Sequence, residues 1–161
     1  MNSALHFSSA DQTWTTPKIF FEKCQRRFGP FDLDAAAVPE TALAPSYCSP
    51  PSGSCYSVLW PGNCLGDGLA VDWVGNVWLN PPYGRKIGVW VRRAFEMGQR
   101  GARVVCLVPA RTDTAWWHDW VSRADCVEFV RGRLKFGGAN NPAPFPSALV
   151  VFGSVKEGGG K

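Results

Sequence analysis

The segment Val77–Gly84 constrains the fold more than any other part of the chain, because a run of strand-forming residues meets two consecutive prolines. The three apolar residues before Asn80 favour a strand, and the prolines that follow it can neither continue a ladder nor enter a helix interior. Each proline also pushes the residue before it towards extended geometry. The sequence therefore predicts a stiff connection at the carboxyl end of a strand, the edge at which open α/β sheets bind ligands.

The residues of this connection suit chemistry on a planar amine. The Asn80 side-chain oxygen and the Pro81 carbonyl can each accept one N–H of an exocyclic amino group. Preorganised acceptors draw the nitrogen towards tetrahedral geometry and localise its lone pair, and Pro82 adds rigidity. Tyr83 can stack on the ring that carries the amine. We interpret these four residues as the candidate catalytic segment.

Length and composition indicate one folded domain. The chain has 161 residues, of which 45% are hydrophobic and 19% charged, enough for a real core and too few charges for a disordered protein. We expect a flexible arm over residues 1–12, a domain over 13–155 and a disordered tail over 156–161. No signal peptide or spanning segment is visible, so we expect a cytoplasmic protein with no membrane partner.

Charge and cysteine content exclude little. The net charge of +4 fits a protein that touches a polyanion and equally fits an ordinary basic surface. The six cysteines lack metal-binding spacing, so we expect reduced thiols and no metal site, with Cys106 and Cys126 buried in strands.

Strand and helix patterns alternate along the chain. A helix is predicted from Thr16 as N-cap and Pro17 as first helical residue, with Phe20, Cys24 and Phe28 inward. A short strand over residues 31–34 follows, and then a long irregular loop over 38–68. Further helices are expected after Gly84 and Arg111, and a buried strand before Arg111. We predict a single-domain α/β protein with a Rossmann-like, mostly parallel sheet, an antiparallel hairpin and helices on both faces.

A basic segment near the end of the chain alternates in polarity. Arg131, Arg133 and Lys135 share one face of a predicted hairpin strand, and the strand Ser147–Phe152 returns beside it. Such a ribbon can follow a phosphate backbone or can be a solvated edge strand. Phe145 lies between two prolines and is a candidate for the wall of a base pocket.

Five blocks of sequence together resemble the phage-type DNA N6-adenine methyltransferases, in the family's order and from about Trp14 to Phe152. The Asn80–Tyr83 motif resembles the catalytic motif of amino-group methyltransferases more widely. The flanking blocks are Trp14–Pro17 with Phe20, Phe31–Ala36, Asp67–Leu69 with Asp72–Trp73, Pro109–Thr112 with Trp116–Trp117, and Gly132–Phe136.

The resemblance implies S-adenosylmethionine as cofactor and an adenine in double-stranded DNA as target, flipped into a pocket at Asn80–Tyr83. The implied cofactor contacts are Trp14, Thr15, Thr16, Pro17, Asp34, Ala35, Asp72 and Trp73. The implied DNA contacts are Arg111, Arg131, Arg133, Lys135 and Phe145. A monomer or weak dimer, encoded by a phage or prophage and acting in a bacterial host, is expected.

Two alternatives stay open at this point. The same chemistry can act on another amino group, either a protein glutamine or the N4 of cytosine. The chain can also be a non-catalytic DNA-binding relative, because the Gly-x-Gly turn of many cofactor-binding methyltransferases is replaced by alanines after Asp34.

Overall fold

One seven-stranded sheet organises the molecule. The computed structural model describes residues 14–49, 63–137 and 139–153. Its strands are β1 (Leu33–Asp34), β2 (Ser46–Ser49), β3 (Asn63–Asp67), β4 (Asn76–Leu79), β5 (Arg103–Pro109), β6 (Cys126–Phe129) and β7 (Ser147–Phe152). The strand order is β3-β2-β1-β4-β5-β7-β6, in which the first five strands are parallel and β7 runs antiparallel to both neighbours. The predicted fold class is therefore confirmed. The predicted arm of residues 1–12 and tail of residues 156–161 lie outside the described residues.

Helices cover both faces of the sheet, as predicted. Helix α1 (Lys18–Phe28) packs on one face, and α2 (Ile87–Gln99) and α3 (Ala115–Asp119) pack on the other. Strand β5 supplies side chains to both sides, since Val104 and Cys106 belong to the α2 cluster and Val105 and Leu107 to the α1 cluster. This alternation explains why β5 reads as a continuous apolar run.

The prediction of an irregular loop over residues 38–68 is wrong in part. Strands β2 and β3 lie within it and extend the parallel sheet beyond β1. Both strands are built largely from Ser, Asn, Cys and Gly, so neither leaves a periodic apolar pattern in the sequence. Residues 50–62, between them, are outside the described part of the chain.

Helix α1 begins one residue later than predicted, and its buried face includes Phe21 instead of Phe20. Pro17 is the N-cap with extended angles (φ −61°, ψ 129°) and Lys18 is the first helical residue, so the assignment of Thr16 as N-cap is wrong by one position. The inward stripe is Phe21, Cys24 and Phe28, while Phe20 is only half-buried. The pattern was ambiguous because Phe20 and Phe21 are both large and adjacent.

The basic segment is an extended connection rather than a hairpin strand. Strand β6 ends at Phe129, and the hairpin with β7 is built from β6 alone. The predicted alternation of burial nevertheless holds, because Arg131, Arg133 and Lys135 are exposed while Phe136 is buried. Here the Leu134 carbonyl accepts from the Ala143 N–H and the Phe136 carbonyl from the Ala139 N–H, and the described residues of this segment form no ladder.

Two expectations about cysteines are corrected. Cys64 is disulfide-bonded, so the prediction that all six cysteines are reduced thiols is wrong for this residue. Cys126 is only half-buried, because β6 is an edge strand, whereas Cys106 is fully buried as predicted. Among the described residues, no helix is both long and apolar enough to cross a bilayer.

Candidate active site and nucleic-acid interface

The Asn80 side chain presents a buried hydrogen-bond acceptor that no described residue uses. Asn80 follows the last residue of β4, and its Nδ2 donates to the carbonyl of Trp14 at 2.5 Å. Because a carbonyl oxygen can only accept, this contact fixes which end of the amide faces Trp14. The Oδ1 atom therefore points the other way, and it is buried with no hydrogen-bond partner among the described residues. Orphaned buried acceptors are uncommon in folded proteins and indicate a site for an absent donor.

The two prolines and Tyr83 form a rigid base for this amide. Pro81 is buried and Pro82 half-buried, and neither has an N–H that could join another strand. The Tyr83 hydroxyl donates to the carbonyl of Leu107 on β5 at 3.1 Å. Burial raises the pKa of the Tyr83 phenol well above its usual range, so the ring stays neutral and anchored.

Four aromatic rings gather at this edge of the sheet, and we call Trp14, Tyr83, Phe136 and Phe145 the aromatic enclosure. Trp14 meets Phe136 at 5.4 Å and Phe145 at 5.2 Å between ring centroids, and Tyr83 meets the same two rings at 5.9 Å and 5.5 Å. All four contacts are edge-to-face. Three of the four residues were predicted as site residues from the sequence. Phe136 was not, although its alternation with the cations of the basic segment marked it as inward-facing.

The segment Trp14–Pro17 is fixed between the two sides of the enclosure. At one end the Trp14 carbonyl accepts from Asn80, and at the other the Gly137 N–H donates to the Thr15 carbonyl at 2.8 Å. A Cβ on residue 137 would lie 3.2 Å from Thr15 Cβ, which explains the glycine there. Thr16 is buried. The structure thus brings the predicted Thr-Pro block to the predicted catalytic residues.

A buried carboxyl group stands beside Asn80 in the row of strand ends. Asp34 ends β1, the parallel neighbour of β4, and is 3% exposed. Burial raises its pKa from 3.8 to about 7, although N–H groups of Leu43 and Ala36 counteract this. Its Oδ2 accepts the Leu43 N–H at 3.1 Å, and the adjoining Ala35 is fully buried. A carboxyl so placed suits an ammonium or hydroxyl group of a ligand, either of which would favour its charged form.

The strand ends beyond β1 carry polar residues that the sequence did not identify as site residues. Ser49 ends β2 and is buried, and Asp67 ends β3. Burial raises the pKa of Cys48 to about 11, and the charges of Asp34 and Asp67 add to the effect, so both carboxylates lie near that thiol. The parallel register of β1, β2 and β3 was the missing signal, because it alone aligns their carboxyl ends.

The turn after β3 packs tightly against the turn after β1. A Cβ on Gly68 would lie 2.2 Å from the Ala35 carbonyl and 3.0 Å from the Trp90 ring. The Gly68 N–H donates to the Ser49 carbonyl at 2.9 Å. Only a glycine permits this approach, so the ends of three strands are locked together at the candidate cofactor site.

The structure places Asp72 away from this edge of the sheet and packs Trp73 beneath the turn after β3. Asp72 is exposed and pairs with Arg93 at 3.0 Å and with Arg100 at 2.9 Å, and Arg100 directly follows α2, next to the start of β5. Trp73 is buried, stacks on Trp90 at 6.4 Å and donates its Nε1–H to the Gly68 carbonyl. The Asp72 carboxylate therefore lies towards the amino ends of the strands, whereas the Trp73 ring contacts the turn after β3 that packs against Ala35.

A second unpartnered polar atom lies at the same edge as Asn80. Ser147 opens β7 opposite Pro109, the last residue of β5, and its buried Oγ has no hydrogen-bond partner in the part of the chain that the structure describes. Side chains alternate along β7, so Ser147 shares a face with Leu149, which packs in the same cluster as Phe136. A hydroxyl can donate or accept, which suits a ring nitrogen of a bound base.

The predicted DNA contacts are exposed cations around the aromatic enclosure. Arg111 is exposed two residues after the end of β5, in the same row of strand ends as Asn80 and Asp34. Arg131 and Lys135 are exposed, and Arg133 donates to the carbonyl of Ala143 at 3.3 Å. Phe145, the fifth predicted contact, belongs to the enclosure itself.

Comparison with known proteins gives one family and two phage relatives. The model of a family described as DNA N-6-adenine-methyltransferase (Dam) matches residues 2–151. A DNA N-6-adenine-methyltransferase of Escherichia phage T1 is 30% identical over 165 residues, covering 90% of this chain and 64% of the relative. One of Haemophilus phage HP1 (strain HP1c1) is 24% identical over 147 residues, covering 86% of this chain and 77% of the relative. The chain thus spans less than two thirds of the length of the phage T1 protein.

Proposed function

The chain belongs to the DNA N-6-adenine-methyltransferase family, and from this premise we propose that it methylates the exocyclic N6 of adenine in DNA with S-adenosylmethionine as donor. The observation that carries the proposal is the buried, unpartnered Oδ1 of Asn80 beside the aromatic enclosure. An amino group is the complementary donor, and the enclosure suits the flat ring that bears it.

Asn80 and Pro81 position the reacting nitrogen. The Oδ1 of Asn80 accepts one N6 hydrogen, and the Pro81 carbonyl accepts the other. The Trp14 carbonyl holds Nδ2 and so keeps Oδ1 aimed at the base. Since both acceptors are fixed before the substrate arrives, they localise the nitrogen lone pair without reorganisation at the moment of reaction. Pro82 maintains the geometry, and Tyr83 stacks on the base.

The target adenine leaves the duplex before it reacts. Its N6 is paired and stacked within B-form DNA, so an enzyme that methylates it must take the base out of the helix. The aromatic enclosure replaces the lost stacking with ring contacts, worth about 1–3 kcal/mol per base in other proteins. The unpartnered Ser147 hydroxyl can meet a ring nitrogen of the same base.

The strand ends around Asp34 fit the methyl donor. S-adenosylmethionine supplies an electrophilic methyl group, so the protein need only hold donor and nitrogen in line. Asp34 provides a carboxyl group for the donor, and Ala35 allows the donor to approach the backbone closely. The segment Trp14–Pro17, on the other side of Asn80, provides hydroxyl groups. The buried carboxyl with its raised pKa supports this assignment, because a cationic or hydroxyl partner would compensate its burial. Asp67 is a better candidate than Asp72 for a further contact.

The exposed cations Arg111, Arg131, Arg133 and Lys135 are proposed to bind phosphates on either side of the target base. The active unit is proposed to be the domain of residues 13–155, a monomer or weak dimer acting in the cytoplasm of a bacterial host. A phage or prophage origin accords with the two phage relatives.

Incubation with methyl-labelled S-adenosylmethionine and unmethylated duplex DNA, followed by nucleoside mass spectrometry, tests the proposal. We expect the label in N6-methyl-2′-deoxyadenosine. Label in N4-methyl-2′-deoxycytidine, or only in added protein substrates, would replace adenine by another amino group. Donor binding without any transfer would instead favour a non-catalytic DNA-binding relative.

A further inference from the structure

Helix α1 presents a stripe of side chains that faces away from the sheet. Ile19, Lys23 and Arg26 are spaced i, i+4 and i+7, so they share one line on the helix surface. This line is opposite the inward stripe that packs on the sheet. All three are exposed, and Ile19 is exposed over 70% of its surface although it is apolar.

The cations of this helix are largely unneutralised. Among the described residues, no acid forms an ion pair with Lys18, Lys23 or Arg26, and only Arg27 is paired, with Glu128. The arginines on the outer side of α2, on the opposite face of the sheet, each have an acidic partner: Arg92 pairs with Glu96, and Arg93 and Arg100 share Asp72. The outward side of α1 thus carries cations that no acid among the described residues pairs with.

The two ends of this helix contact residues that flank the basic segment in the chain. Near its C-terminus, Arg27 forms a two-pronged pair with Glu128 of β6. Just before its N-terminus, the Thr15 carbonyl accepts from Gly137, where the basic segment ends. The cations of α1 and those of residues 131–135 therefore belong to one continuous surface. That surface adjoins the aromatic enclosure, because Trp14 of the enclosure lies four residues before α1.

We infer that the outward stripe of α1 is a DNA-contacting surface, in which Lys23 and Arg26 bind phosphates and Ile19 enters the duplex beside the flipped adenine. The inference rests on the proposed function and extends it to a helix that this function does not use. We assign duplex DNA as the ligand of this stripe, because the stripe is positively charged and DNA is a polyanion.

An exposed apolar side chain among cations, as Ile19 is, suits a surface that distorts DNA. Extrusion of a base leaves a gap in the stack and costs a few kcal/mol in lost stacking and pairing. Proteins that distort DNA commonly insert an apolar side chain between base steps, where it replaces part of the stacking. Ile19 is the apolar side chain of the stripe and lies five residues from Trp14 in the chain.

Salt dependence of DNA binding tests the phosphate contacts. The double variant Lys23→Gln, Arg26→Gln should reduce the slope of log affinity against log salt by about 1.8, since each lost phosphate contact removes about 0.9. The matched control Arg92→Gln removes one cation from the opposite face and should leave the slope unchanged. An unchanged slope in the double variant, or an equal loss per cation in the control, would overturn the assignment of this surface.

Methylation of paired and mismatched targets tests Ile19. Once the methylated site has been mapped with the wild-type protein, we expect Ile19→Ala to slow methylation of the paired adenine about tenfold, corresponding to about 1.4 kcal/mol. The rate on an adenine opposite a mismatch should stay within about twofold of wild type, because such a base flips at little cost.

The control Val89→Ala removes another exposed apolar side chain, on α2, and should match wild type on both substrates. Equal rates for Ile19→Ala and wild type on paired DNA, or equal losses on both substrates, would overturn the role in the duplex. These outcomes presuppose a wild-type protein that methylates adenine; absence of that activity would instead refute the proposed function.

Discussion

At the scale of single residues, the site depends on how Asn80 is held rather than on its presence alone. Its amide nitrogen is used by the Trp14 carbonyl, and this contact leaves the oxygen as a committed acceptor. The sequence predicted the acceptor from the motif. It could not predict the partner, because Trp14 is 66 residues away in the chain and meets Asn80 only through the fold.

Asn80→Ala should separate catalysis from donor binding. Loss of the acceptor is expected to reduce the methylation rate about 10²–10³-fold, as removal of one preorganised polar contact does elsewhere. Affinity for S-adenosylmethionine, measured by calorimetry, should change little. The control Asn63→Ala lies at the amino end of β3 and should keep full activity. Parallel loss of rate and donor affinity would contradict the role assigned to Asn80.

The buried carboxyl of Asp34 should make the donor-free protein less stable as pH rises. Its pKa is about 7 when folded and about 3.9 when unfolded, so between these values the folded state holds a proton that the unfolded state lacks. The free energy of unfolding should fall from about pH 4 to pH 7 and then level off. The total change from this group is on the order of 4 kcal/mol at most.

The variant Asp34→Asn has no such titration and provides the measurement. Urea unfolding of both proteins at pH 5 and pH 8, without donor, should show a gain in the relative stability of the variant at the higher pH. A gain at the lower pH would mean that the carboxylate is stabilised rather than strained by its surroundings.

At the scale of secondary-structure elements, the sequence predicted best those helices and strands whose apolar residues recur at regular spacing. Helix α2 and strand β5 were predicted well, because a 13-residue helix and a 7-residue buried strand leave clear apolar patterns. Strands β2 and β3 were missed because they are short, polar and defined by partners in the sheet. With them the sequence also missed the alignment of Ser49 and Asp67 with Asp34. The start of α1 was misplaced by one residue because Pro17 fits both the cap and the first turn.

Gly68→Ala should disrupt the contact between the turns after β1 and β3. The added Cβ would lie 2.2 Å from the Ala35 carbonyl, so the backbone must move. We expect a loss of about 1–3 kcal/mol in stability, as for an overpacked site, together with weaker donor binding. Thermal unfolding and donor titration measure both effects.

Gly101→Ala is the matched control for this variant. Gly101 has φ +104° and open space around its Cβ position, so alanine there adds backbone strain without a clash. It should lower stability and leave donor affinity unchanged. Unaltered donor binding in Gly68→Ala would separate this turn from the donor site.

At the scale of the whole molecule, the proposed donor site draws on the ends of neighbouring parallel strands and on the segment before α1. A ligand that binds only this assembled state stabilises it by mass action, by about 2.7 kcal/mol at a concentration 100 times its dissociation constant. For a domain of this size we expect a rise in Tm of about 5–10 °C with S-adenosylmethionine. Asn80→Ala should show the same rise and Asp34→Asn a smaller one. No rise in the wild-type protein would refute the donor site.

The position of β7 in the sheet bears on how the protein is made. It lies between β5 and β6 although it is the last of the described strands to leave the ribosome. Until Ser147 and the residues after it have been synthesised, β5 has an unpaired edge that is apolar after Arg103, and β6 lacks its partner strand β7. Open apolar edges recruit other chains. A premature stop codon before Ser147 should therefore yield insoluble aggregates rather than a shorter soluble protein.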